Sequence, residues 1–475
     1  MAGVRASASQ WWYGGKKGPP PQRVGRSVRK IPLSEVLPPC IVAQLDALGQ
    51  ALRSVARAHR DDTLATLEQE TLAVIRAAMP DLLAAVLQAS TSSLQPGGVG
   101  RTQACPTCGE RIPVVGWRPR TLTTVCGALR VERPWYHCRS CQHGWSPADL
   151  TWEVAPRARI SAGVADWLID LGGSTSFVDA QRELGKLSGL QVSAETIRQY
   201  TEERGTVLDM AEGAAAQSVL RTQEAAAPLD PAPGTLVVET DGVMVRYRSG
   251  WHEVKLGLVG GQVDGKLQNL SYVAARQPAE AFGPRLLAEA ARRGALEIVG
   301  WDGPLTGAPL AQLRSVVVLG DGAHWIWELA ADHFGERIEI VDFYHATQHV
   351  WTLAHALFGE GTFFAARWAD FAILTLAEEG AGALLALLDA TAAPSPTAAT
   401  LLQRERQYFR TNQARMDYPT FRHRGLPLGS GAVESAGRHL VQLRMKRAGA
   451  RWSDEGGQAV LTVRSRLISK RSLVA

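Results

Sequence analysis

Two Cys-x-x-Cys pairs, Cys105-Pro-Thr-Cys108 and Cys138-Arg-Ser-Cys141, take up four of the six cysteines in the chain. Thiolates at that spacing suit a tetrahedral structural Zn2+ ion. The 29 residues between the pairs leave room for an extended hairpin. A redox dithiol needs only one such pair and a βαβ setting, which is missing here. Cys126, His137 and His143 stand nearby as alternative ligands, and Cys40 reads as an ordinary buried thiol. Three acids suggest other chemistry. Asp241 follows an apolar run and precedes Gly242, Asp321 follows another and precedes Gly322, and Glu434 follows the Gly-rich turn at 427–431. Carboxylates converging at one sheet edge suit Mg2+ or Mn2+, hard ions that prefer oxygen. Two such ions about 3.5–4 Å apart promote phosphodiester chemistry without a covalent enzyme intermediate. Alone, each Asp-Gly reads as a turn; their joint placement argues for a site. Glu239 is the internal rival of Asp241, because it lies two residues earlier on the same strand face.

These residues need elements to hold them. Residues 1–33 form a basic, Pro- and Gly-rich arm with no acid before Glu35. Residues 34–98 read as helical, since Leu45, Leu48, Leu52 and Val55, then Leu64, Leu67, Leu72 and Ile75, recur at helical spacing. Residues 99–150 form a β-rich, zinc-ribbon-like module with short strands over 111–117, 121–125 and 129–136. So small a module buries little core, and a metal supplies the missing folding energy. Residues 151–212 have a helix-turn-helix rhythm: helices over 162–171 and 176–188, then a third from Ser193 with Glu195 in its first turn. A plain three-helix packing unit fits the same pattern. Residues 213–234 are Ala- and Pro-rich and read as a linker.

Residues 235–345 alternate as an α/β core: strands over 235–248, 251–263 and 267–275, a helix over 278–293, a buried strand at 316–319, a helix over 323–334 and a strand at 338–341. Residues 346–425 are helical, and 426–475 form a final helical block that carries Glu434 and a basic tail. In that block Val433, Ala436, Leu440 and Leu443 mark the expected buried stripe.

The order βββ–α–β–α–β is that of the ribonuclease H-like fold, whose acids meet at one edge of the central sheet. The stretches ETDGVMVRYRSGWHEVKLG, LGDGAHWIW, IVDFYHATQHVW and PLGSGAVESAGRHLVQLRMKRAGARW resemble those of DDE transposases of bacterial insertion sequences, the ISKra-type family above all. The resemblance spans roughly residues 100–470. It implies Asp241, Asp321 and Glu434 as the catalytic triad holding two Mg2+ or Mn2+ ions. It further implies that the segment between Asp342 and Glu434 is an all-α insertion in the core. Asp342-Phe-Tyr-His345 resembles a (C/D)-x-x-H motif of related transposases, which implies that His345 assists proton transfer or holds a phosphate; a structural histidine is the plainer reading.

Charge points the same way through its distribution and not its sum. The net charge is only +5, yet Arg438, Arg444, Lys446, Arg447, Arg451, Arg464, Arg466, Lys470 and Arg471 crowd the C-terminus. With Arg198 on the third helix of the helix-turn-helix-like region, Arg438, Arg444, Lys446, Arg447 and Arg451 are the candidate contacts to DNA phosphates. Double-stranded DNA, both element ends and target, is the partner that the resemblance implies, bound by a homodimer or higher oligomer. Two other readings use the same residues: a structure-specific nuclease on the same core, and a non-catalytic zinc-dependent DNA-binding protein on a transposase scaffold. With 45% hydrophobic and 20% charged residues the chain reads as globular. No uninterrupted apolar run approaches the roughly 18 residues of a membrane span, and the first residues lack an apolar leader. A cytoplasmic, nucleoid-associated location with no membrane partner is the expectation.

Overall fold

The computed structural model describes residues 37–91, 102–222, 229–301 and 309–473. The basic arm over 1–33 lies outside them. The chain divides into two compact units, residues 1–120 with 129–153 and residues 121–128 with 154–475.

In the first unit, helices α1 (Pro39–Ala58) and α2 (Leu64–Ser90) form a hairpin. Pro39 opens α1 at the position where its missing N–H is not needed. The Thr63 hydroxyl caps α2 by accepting from the N–H of Thr66. The Cys40 thiol donates to the Ala85 carbonyl at 3.6 Å, joining the start of one helix to the end of the other. Among the described residues α2 is the one helix long and apolar enough to cross a membrane, with mean hydropathy 1.5. Composition by helical segment therefore qualifies a stretch that a search for unbroken apolar runs passes over, because Arg76 and Asp81 interrupt it.

Four strands follow, β1 (Thr102–Ala104), β2 (Arg111–Thr124), β3 (Gly127–His137) and β4 (Gly144–Trp145), ordered β1-β2-β3-β4 in one sheet. The two short strands expected over 111–125 are one long strand, since Pro119 does not break it. A short helix, α3 (Pro147–Thr151), follows. Ile112, Tyr136 and Trp145 pack with Cys105 and Cys138 into the small core.

The second unit begins with helices α4 (Ala162–Ser174), α5 (Phe177–Ser188) and α6 (Ala194–Thr222). Hydroxyls of Ser161, Ser176 and Ser193 cap their N-termini. Helix α6 continues through residues 213–222, which the sequence reading assigned to a linker. Ala215, Ala216 and Val219 are buried there, so packing keeps this Ala-rich stretch helical.

The central sheet has five strands: β5 (Thr235–Tyr247), β6 (Gly250–Val263), β7 (Lys266–Ala275), β10 (Val316–Gly320) and β11 (Arg337–Val341), in the order β11-β10-β5-β6-β7. The β5–β6 and β6–β7 pairs are antiparallel, whereas β10 runs parallel to both β5 and β11. Helix α7 (Ala279–Arg292) and an outlying two-stranded sheet, β8 (Leu296–Trp301) with β9 (Pro309–Leu313), come between β7 and β10. That pair was not foreseen. Helix α8 (His324–His333) connects β10 to β11. Every residue of β10 is buried, as its all-apolar sequence demands.

After β11 come five helices, α9 (Phe343–Phe358), α10 (Phe363–Glu379), α11 (Ala381–Ala390), α12 (Pro396–Thr411) and α13 (Tyr418–His423). Their buried faces join β5, β10, β11, α7 and α8 in one large core. The last block is a helix starting as α14 (Gly431–Ala436), passing through a π-helical turn (Gly437–Gln442) and ending at Leu443–Met445; α15 (Asp454–Ile468) follows. Val433, Ala436, Leu440 and Val441 pack on Val243, Val245 and Leu256 of the sheet. Leu443, expected in that stripe, is instead 57% exposed, while Arg444 and Met445 are buried. The wide i→i+5 turn shifts the register by one residue.

Candidate active site and cysteine cluster

The parallel register sets the site. Leu319 pairs with Glu239, so two residues on, Asp321 reaches the level of Asp241. Gly320 pairs with Val341, which sets Asp342 beside Asp321; the Asp342 N–H donates to the Gly320 carbonyl at 2.8 Å. Three aspartates thus stand level on three adjacent strands, Asp241 in the middle of β5 and Asp321 and Asp342 just past the ends of β10 and β11. Strand β5 runs straight through Asp241-Gly242, so that pair is not a turn. Nor does Gly242 make room for a ligand: a Cβ there would lie 2.2 Å from a carboxyl oxygen of Glu253. Gly322 is a true turn residue with φ +98, and a Cβ there would meet the Tyr408 ring at 3.0 Å.

Asp241 is half-buried and its Oδ1 accepts the Gly242 N–H at 2.7 Å. Burial pushes its carboxyl up to about 6; the Gly242 N–H opposes this, and the carboxylates of Asp321, Glu434 and Glu253 add to it. Glu434 lies on the exposed side of α14. The same helix packs closely on the strand, since a Cβ on Gly437 would sit 4.0 Å from Asp241 Oδ2. Asp321 Oδ1 accepts the Ala323 N–H at 2.9 Å, and its carbonyl accepts the Tyr408 hydroxyl at 3.1 Å. Among the described residues only the cysteine group has ligand atoms all within 4.8 Å of one another. The carboxylates of Asp241, Asp321 and Glu434 therefore form an open set, coupled through their fields and not closed around a point.

Two buried acids hold the segment that carries Glu434. Glu239, fully buried, accepts the Val433 N–H on Oε2 at 2.8 Å. Its Oε1 has no partner. Burial pushes this carboxyl up to about 7, with the Val433 N–H opposing and the Asp342 and Glu434 carboxylates adding. Glu239 is thus tied to the helix start, and Asp241 is the more accessible of the two rivals. Asp342 accepts the N–H and hydroxyl of Ser430 on Oδ2, the latter at 2.7 Å. Its Oδ1 accepts the His345 N–H at 2.6 Å, which makes the Asp-x-x-His spacing a helix cap. The His345 ring is half-buried, edge-on to His349 at 5.2 Å.

Sequence reasoning missed what the helical segment contributes. His349 stacks on Tyr408 at 3.8 Å and shares a 2.5 Å hydrogen bond with Glu405, while Tyr408 reaches Asp321. The helices α9 and α12 thereby brace the loop after β10. Glu253 was also missed, although its place on the strand next to Asp241 was legible once β5 and β6 are paired.

The cysteines form the second site. The Sγ atoms of Cys105 and Cys141 lie 3.5 Å apart and those of Cys108 and Cys138 3.6 Å apart, with all four within 4.8 Å. Tetrahedral zinc with bonds of about 2.3 Å spaces its sulfurs by about 3.8 Å, so the set fits a metal. The residue after each pair, Gly109 at φ +76 and Gln142 at φ +59, turns left-handed and closes a knuckle. At Cys105 burial is outweighed by the N–H groups of Cys108 and Thr107, which hold the thiol at about 7. Burial, opposed by the His143 N–H and reinforced by the neighbouring thiols, drives Cys141 up to about 12. A divalent cation relieves that crowding of thiolates. His137 and His143 are not in the group; the Cys126 N–H donates to Thr124 in the β2–β3 turn.

The arginines divide by role. Arg438, Lys446, Arg447 and Arg451 are exposed, with Arg447 paired to Asp179 at 2.7 Å. Arg198 is held by Glu195 and Glu202 on its own helix. Arg444 is buried and donates to the Gly172 carbonyl. Arg464 is buried too, serving the carbonyls of Leu440, Gly173 and His439. Arg466 and Arg471 pair with Glu212. The continuous basic stripe expected along the C-terminal helix is thus broken: Arg444, Arg464, Arg466 and Arg471 serve Gly172, Gly173 and Glu212 in distant segments, while Arg438, Lys446, Arg447 and Arg451 stay exposed.

Compared with known proteins, the chain matches no family model and no curated relative.

Proposed function

We propose that this chain is a DNA transposase with a ribonuclease H-like core, cutting a DNA strand at its element's ends and joining the freed 3′-hydroxyl to target DNA. One observation carries the reading: parallel pairing of β10 with β5 aligns Asp321 with Asp241, while the helix of Glu434 packs on Asp241 through Gly437. The strand order β11-β10-β5-β6-β7, with antiparallel strands on one side and parallel on the other, supports the fold assignment. The helices between β11 and α14 match the all-α insertion that the resemblance implies.

Asp241, Asp321 and Glu434 hold the catalytic cations in this reading. Two bound Mg2+ or Mn2+ ions supply Lewis-acid stabilisation and an acidified nucleophile. The raised Asp241 carboxyl fits that role, because burial first and the neighbouring carboxylates second disfavour its charge, and a cation relieves both. Glu239 and Asp342 position the Glu434 segment through Val433 and Ser430. Tyr408 fixes the Asp321 loop. The cysteine cluster binds structural zinc, and the active form on DNA is at least a dimer, since two ends must be joined.

Substituting Asp321→Asn tests the reading on duplexes carrying the element's terminal inverted repeat. Strand cleavage should fall by about a hundred- to a thousand-fold, on the order of what transition-state charge stabilisation contributes, with end binding nearly unchanged. Retained cleavage contradicts the assignment. A pre-cleaved end that is never joined to target DNA identifies a nuclease instead.

A further inference from the structure

A cavity of about 660 Å3 opens where α5 and α6 begin, beside the end of β5 and the loop after Met445. Phe177, Arg198, Arg248, Arg444, Arg451 and Trp452 are among the residues of its wall. We propose that it is a phosphodiester-binding site that grips the backbone of duplex DNA by charge, without reading bases.

The wall is built, not incidental. Arg444, only 4% exposed, lies with its guanidinium 4.5 Å from the Phe177 ring centre and 4.8 Å from that of Trp452. Trp452 Nε1 donates to the Met445 carbonyl at 3.0 Å. Both rings are therefore engaged by a cation of the protein itself, and the indole donor is satisfied. Base stacking needs a free aromatic face, so the wall favours phosphate over base. The Arg248 N–H donates to the Trp452 carbonyl at 2.9 Å, and Tyr247 bridges Trp452, which ties the 451–453 loop to the end of β5. That tie puts Arg248 and Arg451 on one wall. Both are exposed, and neither guanidinium makes a hydrogen bond or ion pair among the described residues, although the Arg248 charge acts on Glu202 across the wall. The acids of the same wall, Glu195 and Glu202, are both held by Arg198. Arg451 is the uncommitted charge of the wall and Arg248 is shared only through its field with Glu202, so the two exposed guanidinium groups remain available to a phosphate.

The position also suits a long polyanion. Tyr247 lies six residues beyond Asp241 on β5, a span of about 20 Å. Along B-form DNA that is roughly six base-pair steps. The cavity would hold the duplex backbone at that distance from the bond to be cut. This inference rests on the transposase reading only for which DNA is bound, not for the binding itself.

Fluorescence anisotropy on the full-length protein tests it, using an element-end duplex, a duplex of unrelated sequence, and inorganic pyrophosphate as competitor. For Arg248→Ala with Arg451→Ala, the dependence of log affinity on log salt should flatten by about 2, close to 0.9 per lost phosphate contact. Affinity at about 0.1 M salt should fall at least ten-fold, equally for both duplexes, with an unchanged melting temperature. An unchanged slope and affinity overturn the proposal while leaving the transposase reading intact. Saturable displacement by micromolar pyrophosphate overturns it in favour of a small-anion site. A flattened slope in a protein that never cuts or joins DNA supports this site and removes the transposase reading.

Discussion

Glu239 and Asp241 sit two residues apart on one strand face, and burial separates their roles. Glu239 is sealed beneath the start of α14 with one oxygen on the Val433 N–H; Asp241 stands half-open among other carboxylates. Glu239→Gln keeps an acceptor for Val433 and removes a charge from a crowded edge. Glu239→Ala leaves the buried N–H bare and a void beside it, at about 2–4 kcal/mol. We expect chemical denaturation to show the Ala variant destabilised by that amount and the Gln variant within about 1 kcal/mol of the parent. Strand cleavage should survive in Gln and fall in Ala. Equal loss of cleavage in both variants would make Glu239 a direct ligand and Asp241 its neighbour. At this scale the cysteine pairs were legible because ligand spacing is local. The fate of Arg444, Arg464 and Arg471 was not, since their partners come from α4, α6 and α7.

Elements were legible where period and caps agree. The strands β5, β6 and β7 and the serine-capped helices follow directly from alternation and from Ser161, Ser176 and Ser193. Two features defeated that reasoning. The π-helical turn moves Leu443 out and Arg444 in, a shift that an even 3.6-residue period cannot anticipate. Residues 213–222 look like a linker by composition, yet α6 continues because Ala216 and Val219 pack into the core with Leu286 and Leu287 of α7; nearer its start, α6 lies against α15. Gly205 marks how close those two helices come: a Cβ there would lie 2.3 Å from the Ala459 carbonyl oxygen. Backbone cannot yield as a side chain tip can. Gly205→Ala should cost about 2–3 kcal/mol despite the better helix propensity of alanine, measurable as a lowered denaturation midpoint. A stabilised variant would mean that the two helices are not in contact.

At the scale of the molecule, the α/β unit gathers its acids on one edge, and that has a pH signature. The folded carboxyls of Asp241 and Glu239 rise to about 6 and about 7, above their ordinary values of 3.8 and 4.5. An acid raised on folding favours the folded state below its unfolded pKa, and that contribution is lost as pH climbs through the folded value. Without cations, stability from this edge therefore declines between about pH 4 and pH 7, by roughly 1–2 kcal/mol for half-open Asp241 once screening is allowed for. A divalent ion held by Asp241, Asp321 and Glu434 reverses the decline only where the acids are ionised. The most direct test is the melting-temperature shift produced by Mn2+, measured at about pH 5 and about pH 7.5 in the zinc-loaded protein and in Asp241→Asn, Asp321→Asn and Glu434→Gln. We expect a shift of several degrees at the higher pH, little at the lower, and its loss in each of the three variants. A shift that ignores pH, or that all three variants retain, would contradict a shared cation site.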